Sequence, residues 1–134
     1  MQIGEVMQRE VLAVSCDLSL LELEQILSER GISGAPVVSD TGGLMGIVST
    51  TDVLRKLTSI LESRSTSLRE ALASVRLYEI MTPQVLAVGP GEEVESVAGK
   101  MSEARVHRVI VTSDSGEILG IVTSLDLVRV LASQ

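Results

Sequence analysis

The sequence predicts an α+β fold made of one β-α-β-β-α unit written twice. Three observations carry that reading. Gly46-Ile47-Val48-Ser49-Thr50-Thr51-Asp52 recurs as Gly120-Ile121-Val122-Thr123-Ser124-Leu125-Asp126, a displacement of 74 residues. The same displacement aligns residues 11–14 with 85–88 and Ser39-Asp40-Thr41-Gly42 with Ser113-Asp114-Ser115-Gly116. About a third of the positions paired between 3–57 and 77–131 are identical, a register that chance does not hold. Within each copy, short apolar runs alternate with stretches whose apolar residues recur at helical spacing.

Each copy opens on a short β-branched run, 11–14 or 85–88, which predicts a strand. Ser19-Leu20-Leu21-Glu22 sets a hydroxyl three residues ahead of a glutamate, the pattern in which side chains and backbone cap each other at a helix start. Leu23, Ile26 and Leu27 follow at helical spacing, and Gly31 supplies the residue that readily turns left-handed where a helix ends. The second copy carries Val94, Val97, Ala98 and Met101 on the same face. Strands are expected next at 35–38 and 109–112. Turns follow at Asp40-Thr41-Gly42-Gly43 and Asp114-Ser115-Gly116-Glu117, with return strands at 44–49 and 118–123. A helix carrying Val53, Leu54 and Leu57, or Leu127, Val128 and Leu131, closes each copy.

Between the copies, residues 58–76 keep an apolar stripe of Leu61, Leu68, Leu72 and Val75, and Ser67-Leu68-Arg69-Glu70 is a further capping pattern. This connector is expected to finish one helix, break near 63–67 and form a second helix as a packed spacer. A copy of about 55 residues is too small for an ample core. Residues 1–134 are therefore expected to fold as one domain, with a first repeat at 3–57, a connector at 58–76 and a second repeat at 77–131.

Composition narrows the function. Hydrophobic residues make up 45% of the 134, with no Trp, no Phe and Tyr78 alone, so the core must be aliphatic. No apolar run approaches the roughly 20 residues that span a bilayer, and the first residues lack a signal-peptide core. Cys16 is the single cysteine, which excludes an intrachain disulfide and suits a reducing cytoplasm. A formal net charge of −7 argues against sequence-independent nucleic-acid binding and against anionic membranes, since both need a basic face. A small anion in a locally basic pocket is compatible with it. One His and one Cys cannot close a zinc site, and Ser15-Cys16-Asp17 has no histidine nearby in sequence to activate a nucleophile. No enzymatic activity, metal or required cofactor is expected.

The repeated Ser49-x-x-Asp52 and Thr123-x-x-Asp126 join an apolar strand to a helix. Two roles fit that spacing. A hydroxyl and a carboxylate three residues apart cap a helix with no ligand present, and spacing alone favours this. The same helix start offers free N–H groups to a phosphate, and the carboxylate can accept two hydrogen bonds from a ribose diol. His107-Arg108 breaks the symmetry of the copies, standing where the first has Ser33-Gly34. An imidazole beside a guanidinium can engage a phosphate. Equally, Arg108 can be a surface partner of a carboxylate and His107 a satisfied neutral histidine.

With these residues in view, the chain resembles the tandem cystathionine β-synthase (CBS) domain pair, or Bateman module. The resemblance covers nearly the whole chain. It is carried by the two Gly-Ile-Val-[Ser/Thr]-x-x-Asp segments, by Gly31-Ile32-Ser33-Gly34-Ala35-Pro36-Val37-Val38, and by the lead-ins Val6-Met7 and Ile80-Met81-Thr82-Pro83. It implies two repeats packed with pseudo-twofold symmetry and two clefts between them that take adenosine-containing ligands: AMP, ADP, ATP or S-adenosylmethionine. It also implies a homodimer that regulates some other protein.

By that resemblance Asp126 foremost, and Asp52, hold ribose. Ser49, Thr123 and Arg108 meet phosphate, with His107 beside them. Ala13, Ile32, Ala35 and Pro36 line an adenine slot, with Ala87, Val106, Val109 and Ile110 as counterparts, although Val109 and Ile110 also read as strand packing. One cleft is built from Gln8, Ser33 and Asp126, the other from Thr82, His107, Ser49 and Asp52. The family pattern often has threonine ahead of the first strand; Thr82 fits it and Gln8 departs from it. The leading expectation is an adenine-nucleotide sensor or regulatory module. The alternatives are a ligand-free dimerisation module and a pair tuned to S-adenosylmethionine.

Overall fold

The computed structural model describes residues 1–63 and 67–134. Helices and strands are mixed along the chain, and the described strands form two three-stranded sheets, one per repeat. The chain divides into two compact units, Leu12–Gln84 and Met1–Val11 with Val85–Gln134.

In the first unit, β1 (Val14–Ser15) lies parallel to β2 (Gly34–Val38), and β2 turns back antiparallel onto β3 (Leu44–Ser49). The hairpin turn closes through the Ser39 N–H to the Gly43 carbonyl, with Gly42 at φ +86°. Helix α1 (Leu20–Arg30) starts as its sequence predicts. Ser19 Oγ accepts from the Glu22 N–H at 3.1 Å, and the Glu22 carboxylate accepts from the Ser19 N–H at 3.2 Å. It ends on Gly31 at φ +64°, the left-handed conformation the glycine was expected to supply. Helix α2 (Thr50–Ser63) follows β3 directly. The break expected near 63–67 falls mostly on residues 64–66, outside the described residues. Beyond it, Ser67 caps α3 (Leu68–Ser74), its Oγ accepting from the Glu70 N–H. A short helix, α4 (Leu77–Ile80), was not expected.

The second unit repeats the plan. β4 (Ala87–Val88) is parallel to β5 (Arg108–Thr112), which turns back onto β6 (Ile118–Thr123), with Gly116 at φ +89° in the turn. Helices α5 (Val94–Ala104) and α6 (Ser124–Ala132) complete it. The opening strands are shorter than expected at 11–14 and 85–88. The ladder reaches only Val14 and Ser15 opposite Val37 and Val38, and Ala87 and Val88 opposite Ile110 and Val111.

Each unit has its own aliphatic core. Val14, Leu20, Leu23, Val37, Val48, Val75 and Leu77 form the first. Ile3, Val88, Val97, Met101, Val109, Val111 and Val122 form the second. Leu77 and Ile3 are fully buried, yet each belongs to the lead-in of the other repeat. The lead-ins are thus exchanged: residues 75–82 complete the first core, and a 3-10 turn at Ile3–Glu5 opens the segment that completes the second.

Candidate functional site

The exchange of lead-ins brings the candidate polar residues together. In the first unit, Thr82 and Ile47 trade backbone hydrogen bonds of 2.8 and 2.9 Å. Gly46 lies beneath this crossing, where an added Cβ would stand 2.6 Å from the Thr82 carbonyl oxygen. In the second, Gln8 and Ile121 trade the same pair of bonds at 2.9 and 3.0 Å, and a Cβ on Gly120 would lie 2.8 Å from the Gln8 carbonyl oxygen. Only glycine admits so close a backbone. This explains why both Gly-Ile-Val segments open on it.

The crossings deliver Thr82 to Asp52 and Gln8 to Asp126, the pairings the resemblance implies. The Thr82 hydroxyl donates to Asp52 Oδ1 at 3.0 Å, while Oδ2 accepts from the Ser49 N–H at 2.8 Å and the Ser49 hydroxyl at 3.1 Å. Asp126 sits in a reciprocal capping box. Its Oδ2 accepts from the Thr123 N–H at 2.8 Å, and its own N–H donates to Thr123 Oγ1 at 3.2 Å. The Gln8 amide donates to both of its oxygens, and Arg129 to Oδ1 at 3.2 Å. Both carboxylates are 4% exposed.

Burial by itself pushes the Asp126 carboxyl up. Hydrogen bonds from Thr123 and Gln8 together with the Arg129 charge outweigh it and hold the group below its ordinary value. Of the carboxylates that the resemblance assigns to ribose, capping is therefore realised in full at Asp126 and in half at Asp52, where the carboxylate accepts from the Ser49 N–H but the Ser49 hydroxyl donates to it. Arg129 and Arg55, each three residues after its aspartate, went unremarked in the sequence. Their recurrence at the same 74-residue displacement was the available signal.

Around the carboxylates, Ser33 precedes β2 and Gly34, its first residue, pairs with Ser49; Arg108 occupies the matching place opposite Thr123. The Ser124 N–H donates to the His107 carbonyl as the Thr50 N–H does to that of Ser33. His107 is exposed and Arg108 half-buried. Ala13, Ala87 and Ile32 are exposed and Val106 half-buried, whereas Ala35, Pro36, Val109 and Ile110 are buried within their sheets. A recess of about 310 Å³ beside Asp52 is lined by Arg55, Lys56, Ser59, Glu79 and Ile80. Cys16 is buried, and that burial pushes its thiol up, which opposes nucleophilic chemistry. Among the described residues no cluster of His, Cys, Asp or Glu could hold a metal ion, and no helix is long and apolar enough to cross a membrane.

A duplicated α+β unit whose repeated strand–helix junction holds a buried, lead-in-tethered aspartate defines a class of tandem-repeat modules. The family profile of the CBS domain matches residues 3–59 and again 77–133, and the chain belongs to that family. The CBS domain pair of protein MJ0100, solved with 5′-methylthioadenosine and S-adenosyl-L-methionine, is 27% identical at a TM-score of 0.82, covering 99% of this chain and 97% of that one. CBSX2 in complex with AMP is 26% identical at a TM-score of 0.79, covering 98% of this chain and 96% of that one. Uncharacterized protein MJ1232 of Methanocaldococcus jannaschii is 25% identical over 99% of this chain and 40% of its own length. The chain spans between 23% and 40% of the length of the first curated relatives it matches.

Proposed function

We propose that this chain is a regulatory module that binds an adenine nucleotide (AMP, ADP or ATP) and has no catalysis of its own. The observation that carries the reading is the duplicated buried carboxylate at a helix start, in a family whose similar members MJ0100 and CBSX2 were solved with adenosine compounds. Asp52 and Asp126 each offer an acceptor pair to a ribose diol. Ser49 and Thr123 stand at helix starts suited to phosphate, and Arg108 adds positive charge with His107 beside it in sequence. Ala13, Ile32, Ala35 and Pro36 in the first unit, and Ala87 and Val106 in the second, supply apolar side chains for adenine.

A thermal-shift panel of AMP, ADP, ATP and S-adenosylmethionine on the full chain tests the reading. A ligand at about a hundred times its Kd adds about 2.7 kcal/mol to native stability. The expected outcome is a rise in Tm with at least one adenine nucleotide; no rise with any would refute it. Arg108→Ala should weaken AMP binding by about tenfold or more, the worth of a charge-assisted hydrogen bond. S-adenosylmethionine is the second reading, favoured by the MJ0100 complex, and a shift with that ligand alone would select it.

The module is further proposed to act as a homodimer in the cytoplasm, where it controls a separate protein. Leu54, Leu61, Leu125, Val128 and Leu131 are between 51% and 71% exposed on α2 and α6. A recess of about 440 Å³ between α1 and α2, lined in part by Leu23, Leu27, Ile32, Val53, Leu54 and Leu57, extends the apolar face of α2. Sedimentation at micromolar concentration should show twice the 14.3 kDa chain mass. A dimer without any thermal shift would instead select a ligand-free assembly role.

A further inference from the structure

The two repeats carry the same carboxylate and hold it differently. Asp52 Oδ1 receives one hydrogen bond, from the Thr82 hydroxyl at 3.0 Å, with Arg55 standing 3.6 Å away. A hydroxyl can rotate and can accept as well as donate, so it can turn to an incoming ligand. The recess of about 310 Å³ opens beside this aspartate. Asp126 has no such latitude. The Gln8 amide nitrogen lies 3.0 Å from both of its oxygens, so that one N–H is shared between them, and the Thr123 N–H and Arg129 complete the set. The edge of the carboxylate between its two oxygens is thereby occupied by a group that can only donate. That shared N–H engages the two oxygens that the paired hydroxyls of a ribose diol would need.

We propose that Gln8 is an internal plug. Its amide stands where a diol would bind Asp126, so the Asp52 site is the one that takes ligand in the protein as it exists. This rests on the adenosine reading above and ranks its two carboxylates. A ligand at Asp126 must first break the glutamine's charge-assisted bond, at a loss of about tenfold or more in affinity. At Asp52, the side chains hydrogen-bonded to the carboxylate are the hydroxyls of Thr82 and Ser49, which can turn aside.

Calorimetric titration of the full chain with AMP, and with S-adenosylmethionine as a second probe, tests the plug. The parent should take one equivalent per chain, and Asp52→Asn should lose it. Gln8→Thr, which copies the threonine of the other lead-in, should take two, and combining it with Asp126→Asn should return the count to one. Gln8→Ser does the same work if the melting curve shows that the threonine variant does not fold. Two equivalents in the parent, one equivalent that survives Asp52→Asn, or a count unchanged by Gln8→Thr overturns the plug while the adenosine reading stands. No binding of either probe to the parent or to Gln8→Thr overturns both.

Discussion

At the scale of single residues, Asp126 joins stability to pH. Its folded carboxyl is held below its ordinary value by Thr123, Gln8 and Arg129 against the opposing effect of burial. A carboxyl depressed on folding contributes stability above its unfolded pKa, and that contribution is lost as pH falls through the folded one. Asp126→Asn removes the charge and sets one amide against another at Gln8. Denaturant unfolding at neutral pH should show it less stable than the parent by about 1–3 kcal/mol. The difference should shrink below the ordinary carboxylate range, where the parent's own group protonates. Arg105 makes the opposite case. It ends α5 at φ +56°, where the first repeat has Gly31. A side chain in that conformation is strained, so Arg105→Gly should stabilise by about 1 kcal/mol in the same assay.

At the scale of elements, the crossing of lead-in over strand is the joint on which the site depends. Gly46→Ala would press a methyl to 2.6 Å from the carbonyl oxygen of Thr82, a residue held in place by its two backbone hydrogen bonds with Ile47. Destabilisation of about 1–3 kcal/mol is expected, with faster hydrogen exchange at the Ile47 and Thr82 amides. These crossings were the least legible part of the fold. The hairpins and the Ser19 and Thr123 caps could be read because their signals are local: turn glycines, and a hydroxyl three residues before a carboxylate. A pairing between Gln8 and Ile121 has no local periodicity to announce it; only the resemblance set Gln8 beside Asp126 and Thr82 beside Asp52. The short helix at Leu77–Ile80 was hidden for a similar reason. It lies in a stretch whose burial is against the other repeat's sheet, so its own pattern is too brief to read.

At the scale of the whole molecule, the exchange of lead-ins decides whether half a chain can fold. A chain truncated after Glu62 keeps the first sheet with α1 and most of α2, and by sequence it contains a complete first repeat. It lacks Val75 and Leu77, at 8% and 0% exposure, and with them the half-buried Leu72, Ile80 and Met81 that pack on the same core. It also retains Ile3, fully buried in the intact chain, whose core residues from Val88 to Leu127 are gone. Removing one large buried aliphatic side chain costs about 2–5 kcal/mol. Losing several while exposing another exceeds the roughly 5–15 kcal/mol that holds a whole domain together. Circular dichroism should therefore show the truncated chain unfolded, or light scattering should show it associated, with the exposed core covered by a second copy. A chain truncated after Gln84 regains all five of the missing residues. If it folds where the shorter one does not, the lead-in is the deciding element; a stable monomer ending at Glu62 would refute the account.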